Sequence, residues 1–90
     1  MKLNIHFQGI RETVEVADAP TALREFKREA AKRAPFLLRP VINGMSDLTF
    51  AAEAVKRNNQ AKKRNDPAPA SAQAFLDWAV ERGYVTIEQS

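Results

Sequence analysis

Met1, Leu3, Ile5 and Phe7 are apolar, and Lys2, Asn4, His6 and Gln8 alternate with them. Successive side chains of a strand point to opposite faces, so this period of two describes a strand with one face on a core. After Gly9, residues Ile10, Val14 and Val16 share one parity while Arg11, Thr13 and Glu15 share the other. Glycine supplies the positive φ that tight hairpins use, so Gln8-Gly9 reads as a turn and residues 1–17 as a β-hairpin. The rest of the chain must then cover the apolar face of that hairpin.

Asp18-Ala19-Pro20-Thr21 reads as a helix start, with Asp18 or Thr21 as cap and Pro20 in the first turn. Over residues 21–34 the spacing predicts a helix. Ala22, Leu23, Phe26, Ala30 and Ala34 gather on one side, and Arg24, Arg28 and Lys32, with Lys27 beside them, form a cationic stripe on the other. Pro35 ends this helix, because proline disfavours helical geometry in the residue before it. Phe36 to Ile42 is short and apolar, and Asn43-Gly44 follows. Asn-Gly is a strong hairpin signal, so residues 36–50 are expected to form a strand, a turn and a partial return through Leu48-Thr49-Phe50, with Pro40 at an edge or bulge. The rival reading is a short helix over 36–42 stopped by Gly44.

Residues 50–64 read as a second helix, with Phe50, Ala51, Ala54, Val55 and Ala61 on one face and Lys56, Arg57, Gln60, Lys63 and Arg64 on the other. Residues 65–70 are a linker by composition, rich in proline and alanine. Ser71 caps a third helix over 72–82, Gly83 stops it, and residues 84–87 form a last short strand. The expected architecture is a single α+β domain over residues 1–90. An N-terminal β-hairpin and a short C-terminal strand pack against two or three helices. Leu3, Ile5, Phe7, Val14, Val16, Leu23, Phe26, Phe50, Val55, Phe75, Leu76, Trp78 and Val80 are the expected core.

The chain has 90 residues, 44% hydrophobic and 28% charged, which suits a folded domain with a modest core and is too apolar for a disordered one. It has no cysteine, which removes disulfide frameworks, cysteine-ligated metals and thiol catalysis together. Small secreted domains usually need disulfides at this size, no run approaches a membrane span, and the N-terminus alternates where a signal peptide would be continuously apolar. The expectation is a cytoplasmic protein without a membrane segment.

The formal charge is +3, unevenly spread: residues 20–66 carry eleven bases against five acids, and both ends are net acidic. The densest run, Lys56 to Asn65, holds five bases, three asparagines, a glutamine and no acid. Lys and Arg neutralise phosphates, and Asn and Gln hydrogen-bond phosphate oxygens or base edges. Lys56, Arg57, Lys62, Lys63 and Arg64, supported by Arg24, Arg28 and Lys32, are therefore the expected contacts to nucleic acid or another partner. The same bases also suit a helix C-terminus and a solvated face.

Catalytic and cofactor signatures are missing from the sequence. His6 is the only histidine and lies on the polar parity of the first strand. Glycine occurs only at 9, 44 and 83, so there is no phosphate-cradling loop. No carboxylate pair is presented by spacing on one element in an apolar pocket, as acid–base work would prefer; Glu25 and Glu29 are four apart on a helix but have basic neighbours and read as a solvated face. Phe75 and Trp78 lie on the apolar arc of their helix beside Asp77 and Glu81, which favours a core role over base stacking; Tyr84 is the more exposed aromatic.

The order strand, strand, helix and then an extended segment before Asn43-Gly44 resembles the opening of ubiquitin-like β-grasp folds, over about the first half of the chain and in topology alone. Sulfur carriers of that family end in Gly-Gly, whereas this chain ends Ile87-Glu88-Gln89-Ser90, so the resemblance does not imply their chemistry. The functional expectation is a non-enzymatic small basic protein, without cofactor or metal, that contacts nucleic acid or a nucleoprotein complex through a basic helix face. The alternative is an inhibitor or adaptor of phage or mobile-element type that binds a host protein complex.

Overall fold

The computed structural model describes residues 1–7 and 9–88; Gln8, the side chain of Ile10, and Gln89 and Ser90 lie outside it. Strands β1 (Lys2–Phe7) and β2 (Ile10–Glu15) are followed by helix α1 (Ala19–Arg33), a 3-10 turn (Phe36–Leu38), helices α2 (Arg39–Gly44), α3 (Asp47–Lys62) and α4 (Ala72–Glu81), and strand β3 (Val85–Glu88). The sheet order is β2-β1-β3, antiparallel throughout. The α+β architecture is the one expected, with four helices where two or three were anticipated.

The hairpin register pairs Phe7 with Ile10 and Lys2 with Glu15. Gly9, at φ +83°, supplies the left-handed backbone that the two-residue connection needs. β1 is central, and its apolar parity is the best buried row in the molecule: Leu3, Ile5 and Phe7 are 0%, 1% and 4% exposed. On β2 the core parity is interrupted by Glu12, opposite Ile5. Because β2 is an edge strand, Glu12 reaches solvent, and the guanidinium of Arg33 meets its carboxylate at 3.3 Å.

Local signals fix three helix boundaries. The Asp18 carboxylate accepts hydrogen bonds from the Thr21 backbone N–H and hydroxyl, capping α1. Ser71 accepts from the Ala74 N–H and caps α4. Gly83 at φ +81° closes α4: its N–H donates to the Val80 carbonyl and that of Tyr84 to the Ala79 carbonyl, a Schellman arrangement.

Residues 36–50 correct the expected strand. They form the 3-10 turn, α2 and the start of α3. Pro40 falls in the first turn of α2, where no N–H is required and its fixed φ already fits a helix. Gly44 lies inside α2, so the rival helical reading has the right element but the wrong stop. Ser46 then caps α3 by accepting from the Thr49 N–H, and α3 begins at Asp47, ahead of the expected Phe50. The extended segment on which the β-grasp resemblance relied is therefore helical.

The core lies between the sheet and α1, α3 and α4. Phe26 packs edge-on against Phe7 and Phe75, with centroids 6.2 and 5.3 Å apart. Alanines 22, 51, 54 and 79 are buried and let the helices approach closely. Val85 on β3 joins the core, whereas Val80, expected inside, is 40% exposed on the outer side of α4. Trp78 and Val14 pack against the core without full burial. Phe26→Ala removes a ring that touches both layers and costs about 3–5 kcal/mol, a large part of the stability of a domain this small. Loss of the cooperative thermal transition by circular dichroism is expected, while Leu37→Ala, at a site 82% exposed, leaves the transition in place.

Candidate nucleic-acid interface

The basic residues singled out by the sequence fall into two groups. Those on α1 are engaged by acids. Arg24 meets Asp47 at 4.0 Å, Arg28 meets Glu25 at 3.5 Å and Lys32 meets Glu29 at 3.3 Å. Lys27 is 17% exposed and donates to Asp47 and to the Met45 carbonyl, tying α1 to the start of α3. Arg39 donates to the carbonyls of Ala34 and Lys32 at 3.3 Å, closing the C-terminus of α1. The expected stripe is thus largely a set of ion pairs and caps.

The second group lies in the C-terminal half of α3. Lys56, Arg57, Lys62 and Lys63 are exposed, and among the described residues no carboxylate stands within 4.0 Å of any of them. Arg64, just past the helix, lies 3.8 Å from Asp66. Lys63 adopts left-handed backbone, φ +54° and ψ +48°, at the position where helices usually end on glycine. The N–H groups of Lys63 and Arg64 both reach the Asn59 carbonyl.

Of the four amides in this run, Asn58 and Asn59 turn inward, while Gln60 and Asn65 are exposed. Asn58 is 3% exposed; its Oδ1 accepts from the Tyr84 hydroxyl at 2.8 Å, and its Nδ2 is buried without a hydrogen-bond partner. Asn59 brackets the backbone of Asp66, donating to its carbonyl at 2.8 Å and accepting from its N–H at 3.0 Å. The Asp66 carboxylate in turn accepts from the indole N–H of Trp78 at 3.0 Å and from the Arg82 guanidinium through both oxygens. Asp66, an ordinary linker residue in the sequence, is the latch between the end of α3 and α4.

No family model, curated protein or solved structure matches the chain. The site is therefore defined by its geometry: an exposed, uncompensated cationic helix end held rigid by an internal polar latch. Among the described residues no three His, Asp or Glu side chains are grouped to hold a metal ion, and no helix is long and apolar enough to cross a membrane.

The hydrogen bonds from Arg82 and then Trp78 hold the Asp66 carboxyl below the usual carboxylate range. A carboxyl whose pKa is lower in the folded than in the unfolded chain stabilises the fold above its unfolded value near 4 and loses that contribution as the pH falls further. Asp66→Asn is expected to lower the melting temperature by several degrees at pH 7, with the gap from the parent closing in scans below about pH 4.

Proposed function

We propose that this chain is a non-enzymatic binding protein of the cytoplasm whose C-terminal half of α3 contacts nucleic acid, free or within a nucleoprotein complex. One observation carries the reading: Lys56, Arg57, Lys62 and Lys63 stand exposed with no carboxylate within 4.0 Å among the described residues, while the bases of α1 are paired within the fold. Cations left free exchange their counterions for phosphates, and that exchange supplies affinity independent of sequence. Arg64 adds a fifth base at the same end. Arg24, Arg28 and Lys32 serve at most as a weaker flank, since their acids would have to be displaced first.

The backbone at Lys63 adds to this reading. A left-handed conformation costs a residue with a side chain on the order of 1 kcal/mol, and glycine would remove most of that cost. Holding a lysine there keeps a cation at the helix end at the expense of stability. Strained positions of this kind cluster where a surface has work to do.

Fluorescence anisotropy with a labelled duplex and a labelled single strand tests the proposal. Binding at about 50 mM salt is expected, falling with a log–log slope near −3 to −4 if four cations meet phosphates of the duplex. Lys62→Glu with Lys63→Glu should abolish it, and Arg24→Glu should matter less. No binding of either probe at that salt overturns the reading. Lys63→Gly should raise stability by on the order of 1 kcal/mol while weakening binding, which separates the two demands on one residue.

A further inference from the structure

The outer edge of a sheet leaves backbone groups without partners, and the two edges of this sheet differ. The Val16 N–H donates to the Met1 carbonyl, so Met1 and Val16 form a hydrogen-bonded pair of the β1–β2 ladder. Hydrogen-bonded and non-hydrogen-bonded pairs alternate along an antiparallel ladder. The backbone groups of Ile10, Glu12 and Val14 therefore turn toward β1, and those of Arg11, Thr13 and Glu15 turn outward. On the other edge the His6 N–H donates to the Tyr84 carbonyl. By the same alternation only Val85 and Ile87 turn outward on β3, which is four residues long. β2 is thus the longer free edge.

Free edges invite pairing, and proteins blunt them with proline, lysine, bulges or inward-pointing charges. β2 has no proline, lysine or bulge: its six residues pair with β1 in unbroken register. Its one inward charge, Glu12, is met by Arg33 at 3.3 Å. Arg11, Thr13 and Glu15 are exposed on the sheet face away from the helices. Arg11 stands opposite His6, and among the described residues no carboxylate lies within 4.0 Å of it. Glu15 is 72% exposed, with the terminal ammonium group 3.6 Å away. One edge therefore presents an unpaired cation, a hydroxyl and an accessible carboxylate at alternate residues.

We propose that two copies of this chain join β2 edge to β2 edge, antiparallel about a two-fold axis at Thr13. The result is one six-stranded sheet, ordered β3-β1-β2-β2-β1-β3, with the helices of both copies on the same face. Thr13 stands opposite its own copy in a hydrogen-bonded pair, and Arg11 stands opposite Glu15 of the second copy. A two-fold contact repeats with the roles exchanged, so this ion pair forms twice. All the outward backbone groups of Arg11, Thr13 and Glu15 are used, and opposite charges directly across a ladder stabilise it. The neighbouring registers are worse. An axis at Arg11 or Glu15 sets like charges face to face, and one at Glu12 opposes two carboxylates. An axis at Val14 sets Arg11 against Ala17 and gains no charge pair. The edge is complementary to itself in a single register, which makes a second copy the occupant of this strand addition. β2 carries none of the bases assigned to nucleic acid, so the inference is independent of that reading.

Sedimentation equilibrium of the intact, nucleic-acid-free protein tests the pairing. A dimer with Kd at or below about 1 mM is expected, a modest affinity for a seam this short. Arg11→Glu and Glu15→Arg, each at an exposed position, should each weaken it by at least about tenfold, because like charges then oppose each other at both ends of the seam. Mixed in equal amounts, the two variants should form a heterodimer as tight as the parent dimer, and a chain carrying both substitutions should self-associate like the parent. Thr13→Cys gives a chain with a single cysteine. Opposed Cα atoms of a hydrogen-bonded pair lie about 5.5 Å apart, within the disulfide range of about 4.4–6.8 Å, so mild oxidation should link two copies. Thr86→Cys, exposed but with its backbone groups turned to β1, should link far more slowly. Melting by circular dichroism checks that each variant is folded. A monomer at about 1 mM, a dimer indifferent to the single charge reversals, or a dimer in which Thr13→Cys links no faster than Thr86→Cys each overturns the proposal.

Discussion

The structure depends on burying one face of the central strand β1. Leu3, Ile5 and Phe7 are almost wholly excluded from water, and both neighbours of β1 contribute to that exclusion. One neighbour, β2, is local and follows through a two-residue turn. The other, β3, is the last element of the chain and pairs Ile5 with Val85 across most of the sequence. A two-stranded ribbon is marginal in water, so the sheet is complete only when the far end of the chain returns. Everything between the two strands must therefore fold back over one sheet face, and three helices do so by presenting Phe26, Phe50 and Phe75 to it.

That return has to be guided through residues 65–70, which carry two prolines and small side chains. The Asp66 latch performs this task. Asn59 grips its backbone from the end of α3, while Trp78 and Arg82 grip its carboxylate from α4. Beside it, the Tyr84 carbonyl accepts from the His6 N–H of β1, and the Tyr84 hydroxyl donates to Asn58 of α3. Two neighbouring polar links thus leave the end of α3: Asn59 through Asp66 to α4, and Asn58 through Tyr84 to the central strand. They keep Lys62, Lys63 and Arg64 on a fixed scaffold, although the bases themselves extend into solvent. The buried, unpaired Nδ2 of Asn58 is their weak member, since a buried donor left without an acceptor is costly.

The parts of this arrangement legible in the sequence are those governed by neighbours a few residues apart. The alternation of β1, the Asp18 and Ser71 caps and the Gly83 stop each concern a single turn or strand, and the chain obeys them. Residues 36–50 misled because two local signals competed: Asn43-Gly44 suggests a hairpin, while Pro40 and Ser46 suit helix starts. The helical arrangement is the one adopted, and in it Ile42 and Met45 pack against the core. The pairs of Arg24 and Lys27 were not legible in the sequence, because their partner Asp47 belongs to a different helix, whereas Arg28–Glu25 and Lys32–Glu29 are three residues apart within α1. The roles of Asn58, Asn59 and Asp66 were invisible for the same reason: each partner is seven to twenty-six residues away.

The division between the two helices also concentrates a modest net charge of +3 at one place on the surface. Opposite charges within a few ångströms largely cancel beyond a Debye length of about 8 Å at physiological salt. The pairs along α1 therefore contribute little to the field a partner meets. Among the described residues the bases of α3 have no carboxylate within 4.0 Å, and they add their fields at one end of one helix. Their position at its C-terminus is locally favourable, because the helix dipole attracts cations there. Fold and surface therefore agree on where the positive charge should sit. They disagree only at Lys63, where left-handed backbone favours glycine and the surface keeps a lysine. Glycine there would relax the backbone and remove a cation from the helix end, so stability and surface charge pull in opposite directions at this one residue.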